Sequence, residues 1–204
     1  MPRHVILFAR TPRYGRVKTR LARDIGKIET LRFYRNTLAN VSRRLSRDGR
    51  FQISIALTPD RDVDGLASPI LYDHALQPQG NGDLGQRMST AFAGLPPGPA
   101  LIIGSDIPDI QPHHIERAFN ALGRNDAVFG PCDDGGYWLV GLKRLCATPP
   151  GFMKKVRWSS AHTLKDTIAT LPKNWKMSYI NNLDDIDDGA AFQKWKMRQT
   201  MKDI

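Results

Sequence analysis

The chain is predicted to be an α/β protein with a largely parallel β-sheet. Short, nearly continuous apolar runs alternate with segments in which apolar residues recur every three or four positions. The apolar runs are typical of strands buried on both faces of a parallel sheet, and the three-and-four spacing is typical of amphipathic helices. Ligands of such folds bind at the carboxyl ends of the strands, so polar residues there are the candidate functional residues.

The predicted elements follow one another in regular alternation. Predicted strands cover residues 4–9, 51–57, 70–77, 100–103 and 127–129, with an antiparallel strand at 137–142 and a short strand at 177–180. The first predicted helix has its apolar face at residues 31–45 and ends near Asp48 and Gly49. Further predicted helices cover 84–95, a segment that Pro112 opens, 160–171, and a last segment containing Phe192 and Trp195. No repeat or long linker interrupts the 204 residues, so we expect one domain, 1–204.

Positive charge is concentrated near the N-terminus. The chain has 30 Lys and Arg against 20 Asp and Glu, a formal net charge of +10. Residues 1–50 hold 14 of the basic residues and three acidic ones, giving +11, whereas residues 51–204 hold 16 and 17 and sum to −1. A local basic patch suits an anionic partner, either nucleotide phosphates or a nucleic-acid backbone. The alternative for part of it is a solvated helix face.

The remaining composition excludes several classes of protein. No apolar run approaches the roughly 20 residues of a membrane span, and no signal-peptide pattern is found at the N-terminus, so we expect a cytoplasmic protein without a membrane partner. Cys132 and Cys146 have no metal-ligand spacing and are expected to be free thiols. The histidines show no catalytic arrangement and are expected to be structural.

The loop after the first strand, residues 10–21, is a candidate anion-binding loop. Pro12 and Gly15 favour an open backbone whose N–H groups can face a phosphate, and Arg16, Lys18 and Arg20 supply positive charge. The sequence does not match a P-loop, because Val17 stands where that motif requires glycine before the lysine. A basic surface turn is the alternative.

A second candidate is the segment 81–88, where Gly82 and Gly85 open a predicted helix. The positive end of the helix dipole could meet a further anionic or sugar group. The alternative is that these glycines only allow the backbone to turn before the helix.

Carboxylates in two distant segments form the third candidate. Asp106 follows the strand at 100–103 and could ligate Mg²⁺ or Mn²⁺. The alternative for a lone Asp is a helix cap. Asp109, just before the helix that Pro112 opens, is expected to have that role. Asp185 and Asp187 flank Ile186, so in an extended chain they project to the same side. Asp188 is expected to cap the last helix. Together, Asp106, Asp185 and Asp187 are the predicted metal ligands.

The segment 132–138 is the fourth candidate. Asp133 and Asp134 precede Gly135 and Gly136, which places carboxylates beside backbone that a ligand can approach closely. Tyr137 and Trp138 could form a wall for a sugar ring. A hairpin turn followed by core aromatic residues is the alternative.

The chain closely resembles proteins with the GT-A-like nucleotide-diphospho-sugar transferase fold. The resemblance is carried by five motifs, which are, in order along the chain, FARTPRYGRVKTRL, GDLGQRM, GSDIPDI, GPCDDGGYWLVGL and LDDIDD. The chain is more distantly similar to phospholactate guanylyltransferases and molybdenum-cofactor nucleotidyltransferases. The resemblance covers essentially the whole chain and implies a three-layer α/β/α sandwich with a mostly parallel, mixed sheet and a divalent metal.

By the resemblance, the loop around Gly15, Lys18 and Arg20 would hold the nucleotide phosphates, and Asp106, Asp185 and Asp187 would be the metal ligands. The residue patterns and the resemblance together give the following candidate roles. The nucleotide-binding residues would be Arg10, Pro12, Gly15, Arg16, Lys18, Thr19, Arg20, Gly82 and Gly85, and the substrate-binding residues would be Asp133, Gly135, Gly136 and Tyr137. Asp106, Asp134 and Lys18 would be catalytic, with Asp134 as the base that activates an acceptor hydroxyl. Arg10 replaces the lysine usual in the family. Asp106 is followed by Ile107 and then Pro108, so the strict Asp-x-Asp signature is absent.

Two transferase reactions therefore stay open, together with a binding function. The first is glycosyl transfer from a nucleotide-diphospho-sugar to a small acceptor, with Mg²⁺ or Mn²⁺ as cofactor. The second is nucleotidyl transfer, in which a phosphorylated small molecule attacks a nucleoside triphosphate and pyrophosphate leaves. A nucleic-acid or regulatory binding module ranks third, because no aromatic-interleaved surface accompanies the basic residues, and no nucleic-acid partner is expected.

Overall fold

The structure, a computed structural model, describes residues 2–64, 74–145 and 148–201. The strands are β1 (His4–Arg10), β2 (Gln52–Thr58), β3 (Ala75–Pro78), β4 (Ala100–Gly104), β5 (Ala127–Pro131), β6 (Tyr137–Leu142) and β7 (Met177–Tyr179). The helices are α1 (Thr19–Ile25), α2 (Lys27–Ser46), α3 (Leu84–Ala93), α4 (Pro112–Leu122), α5 (Thr163–Ala169) and α6 (Gly189–Thr200), and a 3₁₀ turn covers Asp60–Asp62.

The seven strands form one mixed sheet in the order β3-β2-β1-β4-β6-β5-β7. Strand β6 pairs antiparallel with β4 and with β5, whereas every other pairing is parallel. This confirms the largely parallel sheet and the antiparallel strand that the sequence predicts. Six strands consequently end at the same edge of the sheet.

Helices cover both faces of the sheet. On one face, Leu38 of α2 and Ile115 of α4 pack with Leu7 and Leu101 in a first apolar cluster. On the other, Phe92 of α3 packs with Ile6 in a second cluster that also contains Phe152 and Leu171. Alternate strand residues point to opposite faces, which is why adjacent residues such as Ile6 and Leu7 enter different layers. The three-layer α/β/α sandwich is confirmed.

The main difference from the predicted elements lies between β1 and α2. The sequence predicts a polar loop through this region, but the loop ends at Lys18 and α1 begins at Thr19. The apolar side of this seven-residue helix is short, and Leu21 is its one buried residue. Leu21 packs with Phe33, Ile186 and Phe192, which are contacts that only the folded chain reveals.

The other differences concern element boundaries and one cap. Helix α2 begins at Lys27, earlier than predicted, α5 is shorter than predicted, and residues 70–73 of the predicted third strand lie outside the described residues. The expected cap role of Asp109 is wrong, because Gln111 caps α4 and Asp109 pairs with Arg198 at 3.3 Å. Asp188 caps α6 as predicted, accepting a hydrogen bond from the Ala191 N–H. In the described part of the chain, no helix combines the length and apolar character that a bilayer crossing requires.

Gly130 provides a test of the sheet packing. A Cβ at this position would lie 2.4 Å from Nε1 of the buried Trp138, whose indole N–H donates to the Asn181 carbonyl at 2.8 Å. We expect Gly130→Ala to lower the free energy of unfolding by about 1–3 kcal/mol, the usual cost of overpacking. Gly94→Ala is the control, since its Cβ would meet nothing closer than 3.6 Å. Equal urea midpoints for the two variants would contradict the expectation.

His114 predicts a pH dependence of stability. Its Nδ1 accepts the Gln111 N–H at 3.1 Å, and burial, followed by the charge of His113, lowers its pKa from 6.5 to about 4. The unfolded chain therefore binds more protons between those values, and the free energy of unfolding falls as pH drops from about 6.5 towards 4. His114→Gln should lose less stability than the parent between pH 7 and pH 5 in urea unfolding. The exposed His162→Gln should behave like the parent, and identical losses in all three proteins would rule this out.

Candidate functional site

The candidate site lies where the strand order reverses. The chain adds β2 and β3 on one side of β1 and then crosses to place β4 on the other side. The loops that follow β1 and β4 therefore diverge from a common crevice at the carboxyl edge of the sheet, the position where open α/β sheets bind ligands. Lys18 belongs to the first loop, and Asp106 follows β4.

Three carboxylates meet at this crevice. One oxygen from each of Asp106, Asp185 and Asp187 can be chosen so that all three lie within 4.8 Å of one another. Asp185 and Asp187 come from the extended segment before α6, and Ile186 between them is 2% exposed. Ile186 packs with Leu21, which turns the two flanking carboxylates to the opposite side. The sequence-predicted ligands thus converge, and metal binding itself stays a prediction.

The ammonium group of Lys18 lies among these carboxylates. Its Nζ is 2.6 Å from Asp106 Oδ2, 3.0 Å from Asp185 Oδ2 and 2.5 Å from Asp187 Oδ1. The Lys18 side chain is 6% exposed, and its backbone has the left-handed φ of 45°. This conformation is uncommon for a residue with a side chain and directs the chain abruptly into α1.

The charges in the cluster shift one another's pKa values. Burial alone would lower the pKa of Lys18, but the nearby carboxylates raise it well above its ordinary value. Burial raises the pKa of Asp185 to about 6, against the opposing effect of Lys18. Burial acts in the same direction on Asp187, but its contacts with Lys18 and the charge of Arg20 leave its pKa lowered. Lys18 is therefore a permanent cation that partly compensates three acids.

The rest of the predicted anion-binding loop surrounds this cluster unevenly. Arg20 Nη1 lies 3.7 Å from Asp187 Oδ2, at the mouth of the site. Arg13 instead pairs with the buried carboxylate of Asp62 at 2.5 Å. Gly15 has a φ of +68°, which favours glycine, and packs beside Lys27. The other predicted phosphate-binding residues of the loop are exposed or half-buried: Arg10, Pro12, Arg16 and Thr19.

The second predicted glycine segment opens α3, as expected, and Asp83 is its cap in a capping box with Gln86. Gly82 has a φ of +102°, which makes glycine favourable in this turn. A Cβ at Gly85, however, would lie 2.4 Å from the Met153 carbonyl oxygen. Close backbone packing therefore explains Gly85 without a ligand.

The turn after β5 is fastened to the acidic segment. The thiol of Cys132 donates to the Leu183 carbonyl at 3.1 Å, and Asp184 Oδ1 accepts the Asp133 N–H at 3.1 Å. Asp134 is exposed, and its Oδ1 accepts the Gly136 N–H at 2.8 Å. A Cβ at Gly135 would lie 2.4 Å from the Ala161 carbonyl oxygen. The turn therefore lies beside the carboxylate cluster, and packing alone explains its first glycine.

The aromatic residues that follow belong to the core. Trp138 is buried on one face of the sheet, while Tyr137 packs edge-to-face against Phe129 on the other, with ring centroids 5.6 Å apart. The Tyr137 hydroxyl accepts a hydrogen bond from Thr167 at 3.4 Å, and burial raises its pKa. The packing of both rings favours the core alternative that the sequence left open, and a substrate contact of Tyr137 stays a prediction. Cys132 is a free thiol as predicted, and Cys146 lies outside the described residues.

Sequence reasoning missed the residue that ties β1 to β4. The buried hydroxyl of Tyr34 donates to the Arg10 carbonyl at 3.0 Å and accepts the Arg10 N–H at 2.9 Å. It also lies 3.0 Å from Ser105 Oγ, next to Asp106. Burial raises the pKa of Tyr34 to about 12. The helical spacing identified Tyr34 as a core residue but carried no signal that its hydroxyl reaches the strand ends.

Solved structures place this architecture in the class of nucleotide-diphospho-sugar transferase and nucleotidyltransferase folds. A candidate nucleotide-diphospho-sugar transferase from Desulfovibrio desulfuricans G20 matches with a TM-score of 0.79 and 26% identity, covering 92% of this chain and 84% of that one. The 4-diphosphocytidyl-2C-methyl-D-erythritol synthase from Anaerococcus prevotii DSM 20548 matches with a TM-score of 0.63 and 13% identity, covering 98% of each chain. Rv0371c from Mycobacterium tuberculosis H37Rv, solved in complex with manganese, gives a TM-score of 0.57 and 13% identity over 95% of this chain and 97% of that one.

The sequence itself identifies the family. A family model described as "Uncharacterized protein conserved in bacteria (DUF2064)" matches residues 39–160, and the chain belongs to the DUF2064 family. The matched region includes Asp106 and the turn after β5, while Lys18, Asp185 and Asp187 lie outside it. A search of the curated proteins finds no match.

Tyr34→Phe tests the connection between the strand ends. Losing the buried Tyr34 hydroxyl removes the partner of both the Arg10 N–H and the Arg10 carbonyl, so we expect the free energy of unfolding to fall by about 1–3 kcal/mol. Tyr179→Phe removes the same atom from an exposed side chain and should change stability by less than about 0.5 kcal/mol. Urea denaturation of both variants measures the difference, and an unchanged Tyr34→Phe midpoint would show that the hydroxyl contributes little.

Proposed function

We propose that the protein is a metal-dependent transferase that uses a nucleotide-activated donor, and that it transfers a sugar from a nucleotide-diphospho-sugar to a small acceptor. The observation that carries this proposal is the convergence of Asp106, Asp185 and Asp187 with Lys18 at the crevice where the strand order reverses. The similarity to the Desulfovibrio structure supports glycosyl transfer as the particular reaction.

The donor set fits a hard divalent cation. Three carboxylates offer oxygen ligands, and their side chains stay between 28% and 46% exposed, so solvent and a ligand can approach. Mg²⁺ is typically held by one or two carboxylates together with phosphate oxygens and water, and Mn²⁺ accepts similar ligands. When bound, such an ion would neutralise charge on a donor diphosphate. The manganese complex of Rv0371c is consistent with this choice, and Mg²⁺ and Mn²⁺ are both candidates.

The chain's own residues supply the other functions of the proposal. Lys18 and Arg20 both come from the basic loop and contact the cluster, and they would hold the diphosphate and stabilise the charge that develops as the sugar detaches. Arg16 would extend this positive surface. Asp134, exposed on the turn fastened beside the cluster, would accept the proton of the acceptor hydroxyl as that oxygen attacks the sugar carbon.

Nucleotidyl transfer is the second candidate. In that reaction a phosphate oxygen of the acceptor attacks the α-phosphorus of a nucleoside triphosphate, and pyrophosphate leaves. The match with the Anaerococcus enzyme over 98% of both chains favours it, and the same cluster and basic loop would hold the triphosphate. The two reactions differ in their products, which makes them separable by experiment.

The proposed metal site predicts the behaviour of Asp106→Asn. With nucleotide and Mn²⁺ at about 100 times the dissociation constant, the parent should gain about 2.7 kcal/mol of stability. Asp106→Asn removes one carboxylate charge from the cluster, so its thermal shift with the same ligands should be small. Asp109→Asn is the matched control, because this nearby acid pairs with Arg198 and lies outside the cluster. Equal shifts for the parent and Asp106→Asn would exclude Asp106 as a ligand.

Product analysis separates the two reactions. The ligands that stabilise the parent in a thermal-shift screen are incubated with Mg²⁺ or Mn²⁺ and candidate acceptors. Release of a nucleoside diphosphate from a sugar nucleotide supports glycosyl transfer, whereas release of pyrophosphate from a nucleoside triphosphate supports nucleotidyl transfer. Binding of neither ligand class at any accessible concentration would overturn both.

A further inference from the structure

The Lys18 ammonium occupies the position that a metal ion would take. Its Nζ contacts all three predicted ligand residues at 2.5 to 3.0 Å. A Mg²⁺ ion would have to lie about 2.1 Å from the same kind of oxygen atoms. An ion that bound these carboxylates together would therefore overlap the ammonium or lie in direct contact with it. Two cations at such a separation repel strongly in a partly buried site.

The basic loop lies next to the cluster that holds the Lys18 ammonium. Val17 beside Lys18 is buried and anchors the backbone. Arg20 is exposed and reaches within 3.7 Å of Asp187, and Arg16 of the same loop is exposed as well. A lysine has four rotatable side-chain bonds, so the ammonium can leave the cluster without movement of the backbone.

We propose that Lys18 is an internal counter-cation that a divalent ion displaces, and that the displaced ammonium then binds the phosphates of the donor. This inference rests on the proposed function and adds that metal binding releases Lys18 before Lys18 binds the donor phosphates. Without metal, Lys18 holds the three acids together. Metal binding breaks these ion pairs and at the same time supplies a free ammonium beside the basic loop. Metal and phosphate binding are thereby linked, because each stabilises the arrangement that the other requires.

The first test measures Mn²⁺ affinity without any nucleotide, at one neutral pH, from the electron paramagnetic resonance signal of free Mn²⁺. Lys18→Met removes the competing ammonium and keeps an unbranched side chain of similar length. We expect it to bind Mn²⁺ about tenfold or more tightly than the parent, since no ion pair has to be broken first. Lys27→Met, the same substitution at an exposed lysine beside Gly15, should stay within about twofold of the parent.

The second test uses the parent protein and so does not depend on the variant folding. In the metal-free protein, Lys18 should resist acylation by a water-soluble amine reagent, because its side chain is almost fully covered. Adding Mn²⁺ should increase its labelling severalfold by peptide mass spectrometry, while labelling of Lys27 stays constant. Unchanged or reduced Lys18 labelling at saturating Mn²⁺ would show that the ammonium stays in place.

The outcomes separate this inference from the function on which it rests. If the parent and Asp106→Asn bind Mn²⁺ equally, the metal site itself is wrong and the inference fails with it. If Mn²⁺ binding depends on Asp106 but Lys18→Met binds no more tightly than the parent, displacement alone is overturned and the transferase proposal stands. Tighter binding in Lys18→Met, together with increased Lys18 labelling in the parent, supports displacement.

Discussion

Repulsion between three carboxylates is the constraint on which the candidate site depends. Asp106, Asp185 and Asp187 lie close enough to oppose one another, and one lysine compensates them only in part. Such an arrangement needs a rigid frame, which the buried Ile186 provides by anchoring the acidic segment against Leu21. The hydrogen bond from the Ile186 N–H to the Asp106 carbonyl, at 3.4 Å, ties the two acidic segments together. Apolar packing thus stabilises an unfavourable concentration of charge.

The sheet determines where this charge accumulates. Because all strands except β6 run in the same direction, the loops after six of them reach one edge. The reversal of strand order opens a crevice between β1 and β4 at that edge. Tyr34 links these two strand ends through Arg10 and Ser105, so a helix on one face of the sheet helps to fix the geometry of the site. The carboxylate cluster therefore lies at the crevice that the sheet topology creates between β1 and β4.

The sequence predicts much of this arrangement because buried strands have a strong local signature. Apolar runs that end in glycine and aspartate predict the ends of the strands and identify Asp106 as a candidate ligand. Asp185 and Asp187 are predicted as its partners because they alternate with the apolar Ile186. Helix α1 was missed because seven residues carry too little periodicity, and its one buried residue packs against distant parts of the chain. Gly85 is explained by a close backbone contact that the sequence does not reveal.

Lys18 and the carboxylates that it contacts lie far apart along the chain, with Lys18 and Asp185 separated by 167 positions. During synthesis on a ribosome, the seven strands described above are made before Asp185 and Asp187. The growing polypeptide can therefore assemble its central sheet while the charge cluster is still incomplete. Lys18 can therefore pair with Asp106 first, and it gains Asp185 and Asp187 as partners only after all seven strands have been synthesised.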